Sequence, residues 1–87
     1  MELKTETFRL ARPGSEGYDK AEVDDFVAEV RSALLHRPPA MAPWEVRDKV
    51  FRTQRVHRGY DEREVDQWLD EAERALREAH GEELGSL

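Results

Sequence analysis

The stretch Gly59-Tyr60-Asp61-Glu62-Arg63-Glu64-Val65-Asp66-Gln67-Trp68-Leu69 reads as the opening of an amphipathic helix. Asp61 is the N-cap: its carboxylate can accept a backbone N–H two or three residues on, where a helix leaves donors unpaired. Glu64 stands at the third helical position and can reach back to the cap, a capping box with Asp in place of Ser or Thr. Tyr60 and Val65 hold the two positions of a hydrophobic staple. Gly59 lets the chain turn into the helix with positive φ. Glu62 and Asp66 suit the positive end of the helix dipole.

The same device occurs 42 residues earlier, as Gly17, Tyr18, Asp19, Glu22, Val23 and Asp24. Glu29, Ala33 and Leu34 then fall on Glu71, Ala75 and Leu76, and upstream Phe8-Arg9 recurs as Phe51-Arg52 with one residue of slippage. Repeats with a period near 40 can mark a solenoid, but two copies fall short of an array and indicate a duplication. After each cap the apolar residues follow helical spacing. The first stripe is Val23, Phe26, Val27, Val30, Ala33 and Leu34; the second is Val65, Trp68, Leu69, Ala72, Ala75, Leu76 and Ala79.

The expected fold is therefore all-α: two capped amphipathic helices and a short Pro-led helix, forming a small bundle completed within the chain or by dimerisation. Residues 1–37 form the first unit, with a helix over 19–36 that fades before Pro38-Pro39. Residues 38–43 form a stiff extended linker. Residues 44–81 form the second unit, in which Pro43 opens two turns from Trp44 to Phe51 that present Val46, Val50 and Phe51 to the core. Its main helix spans 61–80 with Gly81 as C-terminal cap, and 82–87 is a frayed tail.

At 87 residues the chain suffices for one small domain with a marginal core, and it has no cysteine to staple that core. Charged residues make up 39% of it, with a net charge of -6, which disfavours a general nucleic-acid binder. The charge is polarised: Trp44 to Tyr60 carries five Lys/Arg against two Asp/Glu, and Asp61 to Leu87 three against ten. No apolar run approaches the roughly 20 residues that span a bilayer, and no signal peptide is visible, so a cytoplasmic location is expected.

The second half resembles the N-terminal domain of the bacterial DivIVA family. The resemblance rests on Pro43-Trp44-Glu45-Val46-Arg47 through Phe51, the loop ending in Arg58-Gly59-Tyr60-Asp61, and Glu64-Val65-Asp66 with the pair Trp68-Leu69. Residues 8–34 look like a second, looser copy, and the composition suits an actinobacterial source. The resemblance implies a dimerising, non-enzymatic scaffold in cell division and polar growth, at poles or septum. It also implies that the loop before Gly-Tyr-Asp contacts membrane. Here that loop is Arg52 to Arg58, with Val56 as the apolar candidate and Arg55, His57 and Arg58 as the basic ones; the first copy offers Leu10, Arg9 and Arg12. The family's long coiled coil has no counterpart, since the second helix holds roughly three heptads.

No catalytic residue, cofactor or metal site is expected. There is no nucleophile–base arrangement and no Gly-rich phosphate loop. His36, His57 and His80 share no ligand spacing, and His36 and His80 suit helix C-termini. Trp44, beside Pro43, is a candidate interface hot spot or a lid over the core. Three functions compete: a module that binds a protein partner or itself as a homodimer, a peripheral membrane adaptor using the Arg52 to Arg58 loop, and a small regulatory nucleic-acid binder. The last is weakest, because the best helix is acidic.

Overall fold

The computed structural model describes residues 8–85, with the backbone alone for 82–85. Its elements in chain order are β1 (Gly17–Tyr18), α1 (Lys20–Leu34), α2 (Pro43–Arg47), β2 (Thr53–Gln54) and α3 (Glu62–Gly85). The described residues are mostly helical, as the apolar spacing predicts. The two short strands are an addition to the all-α expectation. They pair antiparallel, Gly17 with Gln54 and Tyr18 with Thr53.

Both N-caps form as expected. Asp19 Oδ2 accepts the Glu22 N–H at 3.1 Å, and Asp61 Oδ2 accepts the Glu64 N–H at 3.2 Å. Val23, Val30, Val65, Ala72 and Leu76 are wholly buried, and Phe26, Ala33, Trp68 and Ala75 nearly so. Val27, Leu34 and Leu69 pack at the edge of the same cluster, which also takes in Met41, Val46, Phe51 and Tyr60. The two stripes thus share one core within the chain.

Four local expectations are corrected. First, α1 ends at Leu34 rather than 36: the Leu35 N–H closes a tight turn onto the Ser32 carbonyl at 3.1 Å. Pro38 disfavours helix at the residue before it. Second, residues 38–43 are not extended. The chain bends back through a cis Arg37–Pro38 bond, the Ala40 N–H reaches the Ala33 carbonyl, and His80 Nε2 donates to the Met41 carbonyl at 2.9 Å. Third, α2 stops at Arg47, and Val50 is 82% exposed while Val46 and Phe51 are buried. The Lys49 N–H closes onto the Val46 carbonyl, and the non-helical segment that follows delivers the Phe51 ring to the core. Fourth, α3 runs through Gly81 to Gly85, so it does not end at 80 and Gly81 is not its C-terminal cap; residues 86 and 87 lie outside the described ones. One Gly costs a helix about 1 kcal/mol, too little to end one that continues with Glu82, Glu83 and Leu84.

Gly17 and Gly59 are also needed for a different reason from the one expected. Neither has positive φ; among the described residues only Gly14 does, at 82°. Gly14 follows Pro13 in a turn closed by the Ser15 N–H on the Arg12 carbonyl at 3.0 Å, the residue pattern of a type II turn. The loop from Arg9 to Gly17 is one residue longer than that from Arg52 to Gly59, which is the slippage in the repeat.

Candidate functional site

The two copies meet where their Gly-Tyr-Asp segments cross. Tyr18 N–H donates to the Tyr60 carbonyl at 3.0 Å, and Tyr60 N–H to the Tyr18 carbonyl at 2.9 Å. The side chains repeat the exchange. Tyr18 Oη donates to Asp66 Oδ1 at 2.8 Å and Tyr60 Oη to Asp24 Oδ1 at 2.7 Å. Asp24 and Asp66 are equivalent positions of the repeat, so each tyrosine binds the helix of the other copy. Both phenols are pushed up to about 12, first by burial and then by the carboxylate each one bonds.

The upstream Phe-Arg segments cross in the same way. Arg9 N–H donates to Glu64 Oε1 at 2.9 Å, the Arg9 carbonyl accepts the Asp61 N–H at 2.7 Å, and Arg9 Nε lies 3.2 Å from Glu64 Oε2. Arg52 makes the matching set with Glu22 and Asp19: 3.2 Å, 2.8 Å and 3.6 Å. Phe8 packs on Tyr60 and Trp68, at 5.3 and 6.3 Å between ring centroids; Phe51 packs on Tyr18 and Phe26, at 5.5 and 5.8 Å. The capping boxes are therefore half-formed. The aspartates cap, but Glu22 and Glu64 hold an arginine of the opposite copy instead of returning to their own cap. The tyrosine rings likewise meet a phenylalanine from the opposite copy, inclined to it by 62° and 55°. The reach-back that the box predicts occurs at α2, where Glu45 Oε2 accepts the Ala42 N–H at 2.7 Å.

The loops that leave this crossing lie side by side. Ala11 N–H donates to the Gly59 carbonyl at 2.8 Å, Arg58 Nε to the Ala11 carbonyl at 2.8 Å, and Arg55 pairs with Glu16 at 3.6 Å. Val56 is 90% exposed and Leu10 40%, while Arg12 and His57 are also exposed. Much of the basic charge expected to face a partner is thus already turned onto the molecule's own carboxylates and carbonyls.

Trp44 is 56% exposed and does not close over the core. It stands at a shallow groove, open to solvent, between α1 and α2, where Phe26 and Met41 lie beneath and Val50 stands at the border. A second depression of about 400 Å³ continues the groove along α1 from Glu29 and Met41 to His36. Sequence patterning does not show this groove, because Val50 reads as core and 38–43 as an extended linker. The 43-residue offset of the Phe-Arg pairs also sets Glu2-Leu3-Lys4 against Glu45-Val46-Arg47. Residues 1–7 lie outside the described ones.

Among the described residues, no group of three or more His, Asp or Glu side chains is placed to hold a metal ion, and no helix is long and apolar enough to cross a membrane. No family model matches the chain, and no curated protein or solved structure matches it either.

Proposed function

We propose that this chain is a non-enzymatic, DivIVA-like protein-interaction module whose two copies complete each other. The reciprocal crossing carries the proposal: the Phe-Arg segment of each copy serves the helix of the other, so neither copy is whole alone. The polar groups at the centre support a structural rather than a catalytic role. Tyr18, Tyr60, Asp19, Asp61, Glu22 and Glu64 are each committed to a bond between or within the copies. Exposed apolar side chains beside open grooves suit binding of a macromolecule. The link to cell division or polar growth, at a pole or septum, comes from the family resemblance alone.

The closed stripes favour a monomer that docks to another protein over the homodimer that the resemblance implies. Light scattering across a dilution series to low micromolar protein tests this. A folded monomer throughout is the expected result. A stable dimer would return the proposal to a self-assembling scaffold.

A second reading, as a peripheral membrane adaptor, is favoured by one observation, the exposure of Val56 between Arg55 and His57. Each basic residue near an anionic surface contributes about 1 kcal/mol, and the ion pair of Arg55 with Glu16 lowers that here. Co-sedimentation with anionic vesicles at low salt decides it. Binding that Val56→Glu abolishes would establish the adaptor, and no sedimentation of the wild type would remove it.

A further inference from the structure

The groove between α1 and α2 has an apolar floor and an acidic rim, and we infer that it docks a basic amphipathic helix of a protein partner. The exposed Trp44 and Val50 supply most of the apolar surface, with the buried Phe26 and Met41 beneath them. Glu29, Glu45 and Asp48 supply the rim. Lys49 also lines it, with its Nζ over the Phe26 ring at 5.1 Å and 5.6 Å from the Phe51 centroid, and Arg47 pairs with Asp48 at 3.3 Å, which leaves Glu29 and Glu45 to set the charge of the rim. Glu29 has no ion-pair partner among the described residues. An apolar strip between Glu29 and Glu45, neither of which has an ion-pair partner among the described residues, complements a helix with one apolar face flanked by Lys or Arg.

The dimensions fit the same occupant. The two depressions share Glu29 and Met41 and follow α1 from Phe26 to its end at Leu34 and on to His36; the helical part, at 1.5 Å per residue, is roughly 12 Å, or about two turns. Trp44, half-exposed at the rim, is the residue type that most often anchors such contacts. A large apolar side chain from the partner would lie against its indole and the Met41 side chain, with basic residues one turn to either side meeting Glu29 and Glu45.

Because the groove belongs to the interaction module proposed above, docking there presupposes that module. The experiment separates the two. A 14-residue Leu/Lys amphipathic helix and a Leu/Glu peptide with the same apolar face are titrated into the full chain while tryptophan emission is recorded. The Leu/Lys peptide is expected to bind and shift the emission, and the Leu/Glu peptide to leave it unchanged. Trp44→Ala and Glu29→Lys should each weaken binding at least tenfold, whereas Asp70→Lys, which changes the net charge as Glu29→Lys does but at an exposed position of α3, should not. Equal binding of both peptides, or equal weakening by Asp70→Lys and Glu29→Lys, would overturn the inference as non-specific attraction. No binding by a chain that remains a folded monomer would overturn the groove and leave the module standing. Concentration-dependent dimerisation that Trp44→Ala abolishes would overturn it in favour of a second copy as occupant.

Discussion

Gly17 and Gly59 lie back to back at the crossing, and a Cβ built on Gly59 would come within 2.4 Å of the Tyr18 carbonyl oxygen and 2.7 Å of the Gly17 carbonyl carbon. A Cβ on Gly17 would meet the Gly59 carbonyl carbon and the Tyr60 oxygen at 2.8 Å. These neighbours are backbone atoms and cannot rotate away. Overpacking of this kind costs about 1–3 kcal/mol, occasionally more. Gly59→Ala and Gly17→Ala are expected at or above the upper end, Gly59→Ala being the worse. Gly81→Ala should act in the opposite direction. Gly81 is exposed within α3 with nothing near its missing Cβ, and Ala there should stabilise by about 0.5–1 kcal/mol. Urea denaturation of the three variants checks both the order and the change of sign. Equal, small effects at Gly17 and Gly59 would refute the close crossing.

The crossed phenol–carboxylate bonds predict a loss of stability at high pH. Each tyrosine has a folded pKa of about 12, raised from 10.0. A raised folded value means that the contribution is fully present below pH 10 and is lost as pH rises through 12. Tyr18→Phe and Tyr60→Phe should each cost about 1 kcal/mol at neutral pH, since a hydrogen bond to a charged group in a partly solvated setting is lost. Tyr60→Phe should cost more, because its bond to Asp24 is the less exposed of the two. The double Phe variant should lose most of the stability change between pH 10 and 12. Tyrosinate absorbance and urea melts over that range provide the measurement. Ionisation of both phenols near pH 10 with no effect on stability would show that the bonds do not form.

Glu22 and Glu64 each hold an arginine by its backbone N–H and its guanidinium at once. An exposed ion pair contributes about 0–1 kcal/mol and fades with salt, whereas a hydrogen bond to the backbone fades less. Glu64→Ala is therefore expected to destabilise by about 1–2 kcal/mol, with at least half of that retained in 1 M NaCl. Arg9→Ala, which keeps the backbone N–H, should cost clearly less. Equal costs for Glu64→Ala and Arg9→Ala, both erased by salt, would reduce the contact to a surface ion pair.

The local half of this fold was legible and the non-local half was not. Asp19 and Asp61 cap helices, and the stripes from Val23 and Val65 face a core, because caps and stripes depend on residues within a few positions of one another. The targets of Glu22, Glu64, Tyr18 and Tyr60 depend on which segment lies alongside, and spacing carries no record of that. A Glu three residues after a cap has the same pattern whether it returns to its own cap or holds an arginine from the other copy. Gly59 was recognised as necessary, but a turn and a close crossing both require glycine, and only the pairing with Gly17 tells them apart. The groove at Trp44 was hidden for a related reason. It exists because 38–43 folds back against α3, which depends on the non-local contact of His80 with the Met41 carbonyl, and because α2 ends in a turn of Lys49 onto Val46 that leaves Val50 outside.

If each copy completes the other, the halves should fail apart and succeed together. Fragment 1–37 retains Phe8 but loses Tyr60 and Trp68, and it exposes the Val23, Phe26 and Val30 face of a helix of 15 residues. An isolated helix of that length is marginal in water. Fragment 38–87 loses the Tyr18 and Phe26 rings from Phe51. Circular dichroism should show little helix in fragment 1–37, and mixing equimolar fragments should raise helicity above the sum of the two, saturating at a one-to-one ratio. Gly59→Ala in the longer fragment should suppress the gain by blocking the crossing, while Gly81→Ala should leave it intact. A fragment 1–37 that folds as a helical monomer on its own, or a gain in helicity indifferent to Gly59→Ala, would mean that the exchanged segments are not what completes the fold.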